Sequence, residues 1–311
     1  MPHRPGSWAR VGAAALLATT AAAAACSSGG DGEADGRGRR PTTSTTADRP
    51  PAPPSTDGEE GAAVTTPTEG PERPGEGDWW RPTRGLTWQW QLDGGPIDLS
   101  VDAEVFDVDL WATTESEIDA LHDQGRKVIC YLSAGSWEPY RPDADEFPEE
   151  VLGPPVDGWP DERWLDIRRL DVLEPLMAAR FDLCRAKGFD GVEPDWMDSH
   201  TQDTGFDITA EDQLRYNRRL AELAHERGLA IGLKNDLGQV EELADLFDFA
   251  VVEQCMEFDE CELLLPFLDR DKPVFHAEYD LPTSAFCAEA RRLGLSSIRK
   301  RLDLGPWRET C

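Results

Sequence analysis

The feature that most constrains this chain is a succession of short apolar runs that turn polar at their C-terminal ends. They span residues 87–92, 105–111, 127–133, 191–196, 230–236, 250–255, 274–280 and 295–298. Each is too short for an ordinary helix and rich in β-branched or aromatic residues, as strands are. The intervening segments carry helical signals. Stretches 115–124, 173–187 and 210–227 are each closed by a glycine (Gly125, Gly188 and Gly228) suited to a left-handed cap. In the last of them Leu214, Leu220, Leu223 and Ala224 share one face, as on a helix laid against a sheet. Eight strands alternating mostly with helices predict an α/β fold, a single (β/α)8 TIM barrel. Segment 136–171 is long, rich in Pro and Trp, and nearly aperiodic. It follows the third strand, where a barrel's loops line the working face, and is expected to wall a cleft there or to serve as a structural extra.

Little of the chain before residue 79 can belong to that barrel. Arg4 and Arg10 precede an apolar stretch, residues 11–25, too short to span the ~30 Å of a bilayer, and small residues follow. This reads as a secretory signal peptide over 1–25. Cys26, directly after alanines and before Ser27, Ser28 and Gly29, has the setting of a bacterial lipoprotein cleavage site and would carry the lipid. An ordinary leader releasing a soluble product is the other reading. Residues 26–78 are Pro, Gly, Ser, Thr and acids with few large apolar side chains, so they form a flexible linker. Trp79 and Trp80 open the folded domain, 79–311.

The whole chain has 61 Asp and Glu against 31 Lys and Arg, a net charge of −30. Such a surface disfavours nucleic acid, so no nucleic-acid partner is expected, and favours cationic ones, although solubility alone also accounts for it. Beyond Cys26 six cysteines remain, an even set that in an exported protein reads as disulfides. Alternation along 127–133 puts Tyr131 and Ser133 on one face and Cys130 on the other. If the polar-ended face points inward, Cys130 meets the helix layer that holds Cys184. Cys255 with Cys261 and Cys287 with Cys311 would then complete the set, one of fifteen pairings that sequence alone does not resolve. No CxxC, HExxH or zinc-spaced cluster is present, so neither metal nor cofactor is expected.

The polar strand ends are Gln89 and Gln91, Asp107 and Asp109, Tyr131 and Ser133, Glu193 and Asp195, Lys234 and Asp236, Glu253, and then His276, Glu278 and Asp280. One such residue is commonly a solvated end or a cap. Convergence of this many on the C-terminal face of a barrel marks a site. Carboxylates ending different strands suit glycosidic chemistry, in which one lies beneath the anomeric carbon and the other protonates the leaving oxygen. Glu193 lies one layer below Asp195, where it perturbs a neighbour or fills a polar layer. Pro194 lacks an N–H and predicts a bulge or strand end. Lys234 is placed to pair with Asp195 or Asp236. Trp88, Trp90, Trp111, Trp137 and Trp196 offer flat faces to sugar rings, with core packing as the rival explanation for some of them.

Across residues 88–304 the chain resembles the barrel glycosidases of family 114, endo-α-1,4-polygalactosaminidases, through WQWQLDG, FDVDLW, KVICYLSAGSWE, KGFDGVEPDWMD, GLKND and VVEQC. The resemblance implies Asp195 as nucleophile, Glu253 as acid/base, and cleavage within galactosamine-rich polymer. The substrate-binding set expected around them is Trp88, Gln89, Asp109, Trp111, Tyr131, Ser133, Glu193, Trp196, Lys234, Asp236 and Glu278. The expected product is a monomeric extracellular hydrolase acting on a polysaccharide, one that can be cationic, and touching membrane only through a lipid on Cys26. Two alternatives stay open: a glycosidase for another amino-sugar or hexose polymer, and a non-catalytic polysaccharide-binding lipoprotein.

Overall fold

Alternation sends successive side chains of each strand to opposite faces, and the molecule builds a separate core on each face. The computed structural model describes residues 79–311; the expected leader, lipidated Cys26 and linker lie outside the described residues. Strands β1 (Trp88–Gln91), β2 (Val105–Asp109) and β3 (Lys127–Ser133) come first. A small three-stranded unit follows: β4 (Ser136–Trp137), β5 (Leu152–Val156) and β6 (Trp159–Leu165). The remaining strands are β7 (Gly191–Asp195), β8 (Ala230–Lys234), β9 (Phe249–Glu253), β10 (Val274–Glu278), β11 (Ser296–Arg299) and β12 (Glu309–Thr310).

Eight of these form a curled parallel sheet in the order β1-β2-β3-β7-β8-β9-β10-β11, with β12 antiparallel on its edge. The side chains facing the axis, Trp88, Trp90, Ile129, Phe249, Val251 and Phe275 among them, pack as an inner cluster. Their neighbours along the strands, such as Phe106, Val108, Cys130, Val192 and Val252, pack in the outer core with the helices. Gly232 is required inside: a Cβ there would sit 2.2 Å from the Phe249 ring. The seam between β11 and β1 is bridged by the Leu92 N–H donating to Leu304 O at 2.9 Å and the Trp88 indole donating to Ser296 O at 2.8 Å.

The covering helices are α1 (Glu115–His122), α2 (Leu170–Lys187), α3 (Ala210–Glu226), α4 (Val240–Leu243), α5 (Leu265–Leu268) and α6 (Thr283–Leu293). Thr114 and Thr209 start α1 and α3 as reciprocal capping boxes with Glu117 and Asp212. Gly188, at φ 97°, ends α2. Four-residue α4 and α5 are too short to impose a helical period on the sequence. Disulfides join Cys130 to Cys184, as the alternation argument expected, and Cys255 to Cys261 and Cys287 to Cys311. The first ties β3 to α2.

Segment 136–165 folds into an antiparallel sheet in the order β4-β6-β5. Its register shifts on either side of Pro155, which disrupts the ladder and hides the period-two pattern from sequence. The ladder between β7 and β8 pairs only Gly191 with Ala230 and Val192 with Ile231, so pairing on that side stops before Pro194. On the β3 side it runs on to Asp195.

Candidate active site

The chain turns sharply where three neighbouring strands end. Trp196, Asn235, Asp236 and Gln254 follow Asp195, Lys234 and Glu253, and all four take a positive φ, between 45° and 60°. Backbone strain of this kind, ~1–3 kcal/mol per residue, clusters at functional sites. Close approach helps hold the first of these turns: a Cβ on Gly135 would lie 2.1 Å from the Trp196 carbonyl. The consequence is that the last side chain of each strand is presented at the barrel mouth.

At the centre is the Lys234 ammonium, 2.8 Å from Asp195 Oδ1 and 2.9 Å from Glu253 Oε2. Burial alone would depress it, but Asp195, Glu253 and Glu193 outweigh that effect and hold Lys234 well above the usual lysine range. Three donors converge on Asp195: Lys234 and the Trp196 N–H at 2.8 Å on Oδ1, and the Tyr131 hydroxyl at 2.9 Å on Oδ2. Glu253 receives the Tyr279 hydroxyl on Oε1 and the Asn235 amide at 3.2 Å on Oε2. Its side chain is the more open of the pair, 26% exposed against 15% for Asp195.

Beneath lies a buried acidic layer. The Trp90 indole donates to Glu193 Oε2 at 3.2 Å, and the Lys234 ammonium sits 5.3 Å from the Trp90 ring centroid. Burial pushes Glu193 up to about 7, with Lys234 opposing the shift. Burial, and then the neighbouring Glu193, pushes Asp107 well above the carboxylate range. Two adjoining carboxyls without solvent cannot both ionise, so this layer retains a proton.

The structure brings Asp195, Glu253, Lys234, Tyr131, Trp196 and Glu193 together. Trp196 is half-buried and meets Trp164 edge-on at 4.8 Å. Five other expected binding residues stand elsewhere. Trp88 is inward but deep, packed on Trp90 and Phe275. Gln89 is on the opposite phase of β1 and donates to Pro306 O at 2.7 Å. Ser133 is buried against Ser136 at 2.7 Å. Asp236, beyond the end of β8, turns back to α3 and accepts from Asn217 at 2.9 Å; burial and then Asp198 push it up to about 8. Glu278 is fully buried, 2.9 Å from His276 Nε2, because β10 sends Ala277 and not Glu278 inward.

Asp109 and Trp111 brace the mouth. Asp109 takes the Arg141 guanidinium at 2.7 Å and the N–H groups of Trp111 and Ala112 at 2.9 and 2.8 Å. The Trp111 ring lies near two guanidinium groups, those of Arg141 and Arg180 at 4.5 and 5.0 Å. Sequence reasoning missed Asn235 and Tyr279, one residue past β8 and β10, and Glu138 and Glu162 in the inserted segment. Asn235, directly after Lys234 in the GLKND motif, carried the one available signal. The group most nearly resembling a metal site among the described residues is Cys255, Cys261 and His276, but both its sulfurs are joined in a disulfide.

Two carboxylates sharing one ammonium at the C-terminal mouth of a parallel barrel have the arrangement glycoside hydrolysis requires. Residues 70–311 match the model of glycoside-hydrolase family GH114, and the chain belongs to that family. It is similar to Ega3 of Aspergillus fumigatus, solved in complex with galactosamine. That similarity has 40% identity and a TM-score of 0.71, covering 75% of this chain and 97% of the other. The glycoside hydrolase domain of PelA from Pseudomonas aeruginosa shares the fold at 14% identity and a TM-score of 0.57, covering 72% of this chain and 98% of that domain. No curated protein matches the chain.

Proposed function

We propose that this hydrolase is extracellular and cleaves internal α-1,4 linkages of galactosamine-rich polysaccharide with retention, Asp195 being the nucleophile and Glu253 the acid/base. The observation that carries the mechanism is the shared Lys234 ammonium. By its two contacts, Asp195 Oδ1 and Glu253 Oε2 lie no more than about 5.7 Å apart, nearer the ~5–5.5 Å of retaining pairs than the ~6.5–9.5 Å of inverting ones.

In the first step an Asp195 oxygen bonds to the anomeric carbon, the glycosidic C–O bond breaks, and Glu253 gives its proton to the departing oxygen. In the second, Glu253 takes a proton from water, whose oxygen replaces Asp195. As Asp195 loses its charge to the ester, Glu253 acquires one. Lys234 faces both, so the ammonium keeps one carboxylate beside it throughout, which suits electrostatic stabilisation without reorganisation.

The relative solved with galactosamine supports the sugar, and a chain of net −30 is compatible with a partly deacetylated, cationic polymer. The leader-like N-terminus supports export. The test is reducing-end release from partly deacetylated α-1,4-galactosaminogalactan by the parent, Asp195→Asn and Glu253→Gln. Release by the parent alone is expected. Tight binding without release would instead support the binding-protein reading.

A further inference from the structure

We propose that Glu138 and Glu162, with Tyr140 between them, form a pocket for the ammonium of an amino-sugar unit lying beside Asp195. The inference rests on the reading of this mouth as a galactosamine-polymer site and assigns the residues that recognise the amine. All three side chains come from the inserted segment. Glu138 directly follows β4, and Glu162 lies within β6.

The hydrogen-bond count is short of donors. The Tyr140 hydroxyl has one proton and faces two carboxylate oxygens, Glu138 Oε1 at 2.9 Å and Glu162 Oε1 at 3.2 Å. Glu138, only 2% exposed, has in addition a buried Oε2 with no partner. The nearest donors are engaged, apart from the buried Arg141 Nε, which has no partner. Arg141 contacts Glu138 Oε1 at 2.6 Å and Asp109 at 2.7 Å, and the Ser136 hydroxyl donates to Glu162 Oε2 at 2.7 Å. A primary ammonium brings three N–H donors and a positive charge to this carboxylate pair, in which Glu138 Oε2 has no donor. A hydroxyl of a neutral sugar brings one donor, and an N-acetyl group one donor and no charge.

Access and position agree with this role. Tyr140 is 60% exposed, so its hydroxyl can leave the two carboxylates without disturbing a core. Glu162 is pushed up to about 7, first by burial, then by Glu138, with Asp195 adding to the rise. The backbone links the two: the Gly135 N–H donates to the Asp195 carbonyl at 3.1 Å, and Ser136, next in the chain, donates its hydroxyl to Glu162, so the pocket adjoins the nucleophile. Near neutrality Glu162 is partly protonated, so an arriving ammonium ion-pairs with the carboxylate and sends that proton to solvent.

The test uses the whole chain and monosaccharide probes, which separates it from polymer cleavage. Galactosamine, N-acetylgalactosamine and galactose are titrated calorimetrically into the parent and Glu162→Gln, at pH 6.5 in two buffers of different ionisation heat. The parent is expected to prefer galactosamine to galactose about tenfold, consistent with a hydrogen bond to a charged group, and to release protons on binding it. Glu162→Gln loses both the preference and the proton release. Equal affinities for galactosamine and galactose in the parent, or an unchanged preference in Glu162→Gln, would overturn the assignment. Should the parent cleave no galactosamine polymer yet show the Glu162-dependent preference, the pocket stands and the proposed reaction fails.

Discussion

Lys234→Met removes the charge that Asp195 and Glu253 share while keeping a side chain of similar length. The ammonium is almost fully buried and lies 2.8 and 2.9 Å from the two carboxylate oxygens. At ~4 Å between charge centres and an effective dielectric of ~20, each contact is worth about 4 kcal/mol before desolvation. Stripping one partner from a buried ion pair costs about 3–5 kcal/mol. Loss of a preorganised donor at an active site lowers turnover by about 10²–10³-fold, and we expect kcat/KM on the polymer to fall by that factor or more. Reducing-end release, with circular dichroism as the folding control, measures the fall. Activity within threefold of the parent would refute the shared-ammonium account.

Three further outcomes are expected. Tyr279→Phe deletes the hydroxyl on Glu253 Oε1, so kcat on the polymer should fall about tenfold with KM nearly constant; an unchanged kcat would remove Tyr279 from the mechanism. Replacing Cys130 and Cys184 by serine opens a bridge between residues 54 apart, and urea unfolding should show a loss of about 4 kcal/mol by the loop-entropy estimate, a loss below ~1 kcal/mol contradicting it. Asp236 is pushed up to about 8, so in the parent the folded state holds a proton that the unfolded chain sheds from about pH 4 upward. Folding stability then drops from pH 4 to pH 8 and levels off once the folded form ionises too. Asp236→Asn has no such slope, and its gain in melting temperature over the parent should be larger at pH 8 than at pH 4; equal gains would contradict the shift.

The barrel was legible because each strand's alternation survives in the sequence. Lys127–Ser133 has the same limits in both readings, and its phase placed Cys130 on the helix side and Tyr131 at the mouth. Where strands are short the phase is fragile. On four-residue β1, two tryptophans and two glutamines alternate, and either set looks suitable for sugar; the interior took Trp88 and Trp90. On β10 the polar pair His276 and Glu278 drew attention, yet these face each other in the outer layer. Alternation ends with the strand, so Asn235 and Tyr279 had no pattern to reveal them. Glu138 and Glu162 depend on an antiparallel sheet whose prolines erase its period. Asp195, Glu253 and Lys234 end adjoining strands β7, β9 and β8, and strand order alone brings them together.

The most direct test of the central claim is the anomeric configuration of the first product, followed by proton NMR within the opening minutes of hydrolysis of partly deacetylated α-1,4-galactosaminogalactan. Asp195 and Glu253, held by one lysine within about 5.7 Å, predict an α-anomer that later mutarotates, as retention through a glycosyl-Asp195 ester requires. A β-anomer appearing first would mean direct displacement by water and would contradict Asp195 as the nucleophile.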